Sequence, residues 1–187
     1  MDSTLRDDGA RYTLTVERRL SYPPAKVWRV LTQRDLLVQW FPCDIEGDWI
    51  ARAPLRFHFF HGEDEDMPEE EQRGEVLTVD EGRLLEFRWG THVLRYELEP
   101  DGDGCLLRLY ETFDDPTWGA RNAAGWEMCL DNLGLVLDGA AALKFVASVW
   151  RAKFERYRDE FEPEFGPQDD PTGKHPLLKD EAVAGDA

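Results

Sequence analysis

Between Leu84 and Glu111 the chain alternates apolar and polar side chains with a period of two, and tight-turn residues interrupt the alternation at Gly90 and at Pro100-Asp101-Gly102-Asp103-Gly104. Leu85, Phe87 and Trp89 share one face, Leu94, Tyr96 and Leu98 the next, and Cys105, Leu107, Leu109 and Glu111 the last. Period two places alternate side chains on one side of a strand. Strands joined by turns this short pair antiparallel, because a parallel pair needs a long crossover. The segments Tyr12–Leu20, Pro42–Glu46, Leu55–Phe60 and Arg73–Val79 are predicted strands on the same pattern.

Helical spacing occurs in two places. After the first strand, Ser21-Tyr22-Pro23-Pro24 opens a predicted helix over Pro24–Thr32, since proline fits a first helical turn. A short helix near Arg34–Trp40 follows and ends in the aromatic pair Trp40-Phe41. In the C-terminal third, Trp126, Leu130, Leu133 and Leu137 recur at steps of four, three and four, and Asp138-Gly139 ends that helix. Trp150, Phe154, Tyr157 and Phe161 repeat the spacing, with Pro163 expected to stop it. Helices thus flank a run of strands without alternating with them, an α+β layout. Residues 1–10 and 166–187 are poor in large apolar residues and are expected to be disordered.

Charge and cysteine usage narrow the function. A net charge of -17 opposes phosphate backbones and anionic membrane surfaces, so neither nucleic acid nor membrane is an expected partner. Cys43, Cys105 and Cys129 are odd in number and without C-x-x-C spacing, which reads as reduced thiols. Met1–Ala10 lacks an apolar leader core, and no apolar run spans a bilayer, so the cytoplasm is the expected compartment.

Three motifs stand in order: Pro24-Ala25-Lys26-Val27-Trp28-Arg29-Val30-Leu31-Thr32, then Gln39-Trp40-Phe41-Pro42, then Gly125-Trp126 opening the leucine-spaced helix. Together they resemble the family related to the C-terminal domain of the activator of heat-shock protein 90 ATPase, within the START-like (SRPBCC) superfamily. The resemblance covers about Arg11 to Gly139. It implies a helix-grip fold, a curved antiparallel sheet wrapped around a long C-terminal helix, with a cavity between them in many members. The expected organisation is a START-like domain over 11–139 and a helical extension over 140–165 that packs on the body or forms a dimer contact.

On that fold the inner faces would bring together Trp40, Phe41, Phe57, Phe59, Phe87, Trp89, Tyr96, Leu109, Glu111, Trp126, Leu130 and Leu133. Alternating apolar faces suit a solid core as well as a ligand cavity. If a cavity is present, covering about 300 Å² of apolar ligand surface is worth roughly 7 kcal/mol before association costs. Glu111 either reaches solvent at its strand end or is withdrawn from water, where it can orient a ligand or act as an acid or base. Arg95 and Glu97 fall on the outer face. His58 and His61, three apart on a strand, point to opposite faces and converge poorly on a metal. The acidic run Glu63-Asp64-Glu65-Asp66 lacks the glycine and terminal glutamate of an EF-hand and reads as a solvated loop. No G-x-S-x-G or phosphate-cradling glycine loop occurs, and no cofactor or metal is expected. The leading expectation is noncatalytic binding of a small hydrophobic molecule, lipid-like or aromatic, by a monomer or homodimer. A chaperone-cofactor role with a protein partner, implied by the family resemblance, and a cavity enzyme of cyclase or hydrolase type are the alternatives.

Overall fold

A computed structural model describes residues 3–60 and 68–171. Its frame is one antiparallel sheet of eight strands: β1 (Ser3–Asp7), β2 (Tyr12–Leu20), β3 (Cys43–Glu46), β4 (Pro54–Phe59), β5 (Arg73–Asp80), β6 (Leu84–Trp89), β7 (His92–Asp101) and β8 (Gly104–Phe113). The spatial order is β1-β2-β8-β7-β6-β5-β4-β3. Strands β3 to β8 form a meander, while β2 joins it through β8. Two helices, α1 (Pro24–Thr32) and α2 (Arg34–Leu37), therefore carry the chain from β2 to the opposite edge at β3. A register shift between Val76 and Thr78 marks an irregularity in β5, a feature that increases the bend and twist of a sheet.

The concave face follows from the register. Leu14 and Leu94 both stand opposite Glu111, and Val16 and Tyr96 both stand opposite Leu109. Next in the row, Leu85 pairs with Tyr96, Phe87 with Leu94, and Val76 with Phe87. A period-two pattern on every strand thus becomes one continuous apolar surface. Helix α3 (Gly119–Leu137) lies on this surface, with Leu130 and Leu133 fully buried. The fold is the helix grip expected from the sequence.

At position 74 of the sheet, glycine allows a close approach. A Cβ on Gly74 would stand 2.0 Å from the Arg88 carbonyl oxygen and 2.6 Å from the Phe57 ring. Its absence lets Phe57 lie across the sheet and stack on Trp89 at 5.1 Å.

Helix α4 (Ala147–Phe165) packs along the other side of α3. Trp150, Phe154, Tyr157 and Phe161 are its buried residues, so the second helical pattern describes a helix docked on the body. The clasp between the two helices is polar at its centre. The Glu127 carboxylate of α3 accepts hydrogen bonds from Lys153 Nζ (2.5 Å), from Tyr157 Oη (2.7 Å) and from Arg156. Burial by itself would raise the Glu127 pKa, but the bonds from Lys153 and Tyr157 and the charges of Lys153 and Arg156 outweigh it and hold the carboxyl below its ordinary value. Ser3 Oγ of β1 joins this group at 2.9 Å from Tyr157 Oη.

Four expectations are corrected. Residues 3–7 are not disordered: they form β1, fixed by backbone pairing with β2 and covered at Ser3 by Tyr157. Pro163 does not stop α4, which runs two residues further to Phe165. The proline gives up one helical hydrogen bond there, to the Asp159 carbonyl, while Phe161 and Phe165 keep an edge-to-face contact at 6.4 Å. Helix α3 begins at Gly119, a full turn and a half before the Gly125-Trp126 signal. A single 3-10 turn over Pro116–Trp118, capped by the Asp115 side chain on Thr117 N, leads into it. The proposed tail is ordered at its start, where Gln168 Oε1 accepts from Ala120 N at 2.9 Å and Asp169 N donates to Thr117 O at 2.8 Å. Its remainder, 172–187, lies outside the described residues, as do His61 and the acidic run 63–66. His58 sits on the outer side, 2.8 Å from Glu46. Arg95 and Glu97 pair at 2.6 Å.

Candidate functional site

The twelve residues singled out from the sequence do converge between the sheet and α3, and they form a layered cluster. Phe41, delivered by the turn after α2, is its hub. Its ring lies 5.6 Å from Trp126 on α3, 5.5 Å from Trp89 on β6 and 6.4 Å from Phe87. Trp40, beside it, meets Tyr96 edge-to-face at 6.2 Å and is pinned by its indole N–H on the Val30 carbonyl of α1 at 3.0 Å. Phe87 stacks on both Tyr96 and Phe57. Phe59 and Trp89 are half-buried and sit at the rim, with Trp89 donating to the Glu71 carbonyl. Leu109, Leu130 and Leu133 form the aliphatic end. Offset and edge-to-face contacts at these distances are favourable ring packing. The best-formed hollows of the described residues open on the outer surface, one on α4 and one beside β7.

Two polar groups interrupt this apolar interior. Tyr96 is 2% exposed, and its hydroxyl has no hydrogen-bond partner among the described residues. Burial first, then the neighbouring Cys129, Glu111 and Cys43, push its pKa well above the ordinary value. It is therefore a neutral phenol, a donor without an acceptor. Burial likewise pushes the Cys129 thiol up to about 12, so it is held as a thiol.

The second group is Glu111, also nearly sealed from water at 5% exposure. Its position on the inner face between Leu14 and Leu94 puts its carboxylate against α3. One oxygen accepts from Trp126 Nε1 at 2.8 Å and the other lies 2.8 Å from His92 Nδ1. A buried carboxylate requires such partners. The strand-end residue reaching solvent is thus not what the fold makes of Glu111.

His92 was not anticipated, although it carries the same parity on β7 as Leu94 and Tyr96 and so had to face inward. Its ring is held in a column: Phe113 at 5.8 Å on one side, Trp118 at 5.4 Å on the other, and the Arg121 guanidinium 4.2 Å beyond Trp118. Trp118 and Arg121 were also missed, because the helix was expected to start after them. Desolvation lowers the Arg121 pKa, with Asp169 and Glu111 opposing. The cluster Glu111, His92, Trp126 and Trp118 closes one end of the grip.

Comparison with known proteins agrees with this architecture. Residues 21–138 match the family model described as activator of Hsp90 ATPase homolog 1-like protein. The chain belongs to that family. Among solved structures, a conserved protein of unknown function, EF2215 from Enterococcus faecalis, is similar at 25% identity and a TM-score of 0.65, covering 84% of this chain and 91% of that one. CalU16 from Micromonospora echinospora is similar at 22% identity and a TM-score of 0.67, with 83% and 94% covered. NE0264 from Nitrosomonas europaea aligns at 19% identity and a TM-score of 0.58, with 71% and 97% covered. The latter two likenesses are of fold alone. No curated protein matches the chain. Among the described residues no helix is long and apolar enough to cross a membrane.

Proposed function

We propose that this member of the family binds a small, mainly apolar molecule carrying one hydrogen-bond acceptor, seated between the sheet and α3 against Tyr96. The observation that carries the reading is the Tyr96 hydroxyl. A donor sealed in an aromatic interior with no acceptor among the described residues costs about 1–3 kcal/mol of stability. A side chain that violates the rule of polar satisfaction in an otherwise well-packed core is a mark of function. A ligand carbonyl or ether oxygen would answer the donor, while the surrounding rings would take the apolar remainder.

The rings touch one another, so binding on this reading moves some of them. Phe59 and Trp89 are the half-buried members at the rim, and the reading assigns the movement to them. Glu111 supports the site by fixing Trp126 and His92, and its two oxygens are both engaged.

Native mass spectrometry of gently purified protein, set against its denatured mass, tests for a retained molecule. Titration with benzophenone and with diphenylmethane then isolates the acceptor, since the two differ by a carbonyl against a methylene. The reading expects tighter binding of the ketone, and loss of that preference in Tyr96→Phe. Absence of an adduct together with no binding of either probe would overturn it.

A further inference from the structure

A second sealed donor stands on α3. The Asn122 side-chain nitrogen is shut off from water and has no hydrogen-bond partner among the described residues. Trp118, Asn122 and Trp126 follow one another at steps of four, so they form one row along the helix. The two tryptophans on either side of Asn122 engage the same inner pair. Trp118 stacks on His92 at 5.4 Å, and Trp126 donates to Glu111 at 2.8 Å. Glu111 is the nearest candidate acceptor for the amide along this row, but one of its oxygens serves Trp126 and the other His92. A buried donor left unanswered in such a place has the same standing as the Tyr96 hydroxyl.

Two elements give the spacing between these donors. Along α3, Asn122 and Cys129 lie on one side of the helix, about 10 Å apart by the helical rise. Cys129 is close enough to Tyr96 to bear on the phenol's ionisation. Along β7, His92 and Tyr96 share a face, about 13 Å apart by the strand rise. Helix and strand thus agree that the two donors stand at opposite ends of one row. Gly125 lies between them on the same side of α3, and a Cβ there would meet nothing within 4 Å outside the helix's own backbone.

We propose that the ligand seated against Tyr96 is an elongated apolar molecule with a second hydrogen-bond acceptor at its far end, received by the Asn122 amide beside Trp118 and Trp126. The inference rests on the reading of Tyr96 and extends it from one acceptor to two. Two donors at a fixed separation act as a ruler, because a ligand with one acceptor leaves one buried donor unanswered in the complex. The Glu111 carboxylate beside Asn122 selects the kind of acceptor. It repels a carboxylate, so the far end is a neutral carbonyl such as that of an ester, ketone or amide.

The test uses the full chain with dimethyl sebacate, which carries an ester at each end, and methyl decanoate, which keeps the chain and one ester. Calorimetry gives the affinities, and NMR of isotope-labelled protein follows the Asn122 side-chain amide. The diester should bind about tenfold tighter, equivalent to about 1.4 kcal/mol. Asn122→Leu, close to the same shape, should remove that preference and leave methyl decanoate unchanged. The Asn122 amide signal should move with the diester alone, and this readout needs no variant. Sebacate dianion should bind more weakly than its dimethyl ester. Equal affinity of the two esters, a preference that survives Asn122→Leu, an unmoved amide signal, or tighter binding of the dianion would each overturn the proposal. Equal binding of both esters that weakens in Tyr96→Phe would remove the second acceptor and leave the Tyr96 reading standing. Failure to bind either ester also overturns the proposal, and the Tyr96 reading falls with it only if benzophenone fails to bind too.

Discussion

Replacing Tyr96 by phenylalanine removes a single oxygen atom and makes two opposite demands on the protein. The ring keeps its place, stacked on Phe87 at 6.2 Å and edge-on to Trp40 at 6.2 Å, so no apolar packing is lost. What disappears is a buried donor without an acceptor among the described residues. Leaving such a group unsatisfied costs about 1–3 kcal/mol, so the unliganded variant should be more stable by that amount. For a domain of this size each kcal/mol moves the thermal midpoint by about 2–4 °C, which gives a rise of roughly 2–12 °C. Urea unfolding should show a higher midpoint with an unchanged slope, since the surface exposed on unfolding is the same. The same variant should bind benzophenone more weakly and diphenylmethane equally well. A protein stabilised by losing a polar atom, and weakened in recognition by the same loss, is the signature of a residue kept for binding at a cost to the fold. If Tyr96→Phe lowers the midpoint, the hydroxyl is bonded in the native protein and the reasoning fails at its first step.

Three further outcomes follow from the geometry. In a double-mutant cycle of Glu111→Leu and Trp126→Phe, each single change strands a buried partner, so the double should be less destabilised than the sum by about 1.5–3 kcal/mol; additivity within about 0.5 kcal/mol in urea unfolding would deny the bond. Gly74→Ala should destabilise strongly, because its Cβ meets backbone at the Arg88 carbonyl as well as the Phe57 ring, and chemical denaturation with near-ultraviolet circular dichroism should report both the loss and the disturbed Phe57–Trp89 stack. Glu127 has a depressed pKa when folded, so its contribution is present above the unfolded value, near 4.5, and is lost as pH falls through the folded one. Wild type should therefore lose stability below about pH 4.5 more steeply than Glu127→Gln, and parallel pH profiles would show that the clasp carries no net charge energy.

The sheet was legible because each of its apolar strands obeys period two, and strand register then fixes the concave face without further information. β1 escaped because Ser3-Thr4-Leu5-Arg6-Asp7 offers one large apolar residue; it is a strand through backbone pairing and the cover of Tyr157, both tertiary facts. The start of α3 escaped for a related reason. Ala120, Ala123 and Ala124 are fully buried, but small residues leave no mark in a pattern sought through leucine and tryptophan. That error hid Trp118 and Arg121, and with them the column that holds His92. The aromatic members of the site were readable as an inward-facing set. That the rings touch, that Glu111 is doubly bonded and that the Tyr96 hydroxyl is unpartnered among the described residues are properties of distance, which no face assignment supplies.

The two buried carboxylates of α3's surroundings explain how such a site could open. Trp126 faces the sheet and bonds Glu111, whereas its neighbour Glu127 faces α4 and accepts from Lys153, Arg156 and Tyr157. Successive residues on a helix lie about 100° apart, so one turn of α3 is fastened on both sides. Lifting α3 from the sheet would break the Glu111 bond, and sliding it along α4 would break the Glu127 cluster; each leaves charge buried and unpaired. Among the described residues the rim of the opposite wall shows no buried carboxylate of this kind. There Phe59 and Trp89 are half-buried, and Trp89 is held by one hydrogen bond to the Glu71 carbonyl. On the proposed reading a ligand would enter by rotation of the rim aromatics on β4 and β6, with α3 as the fixed floor. Hydrogen exchange should reflect this asymmetry, with the amides of Leu130 and Leu133 protected and those around Phe59 and Trp89 exchanging first.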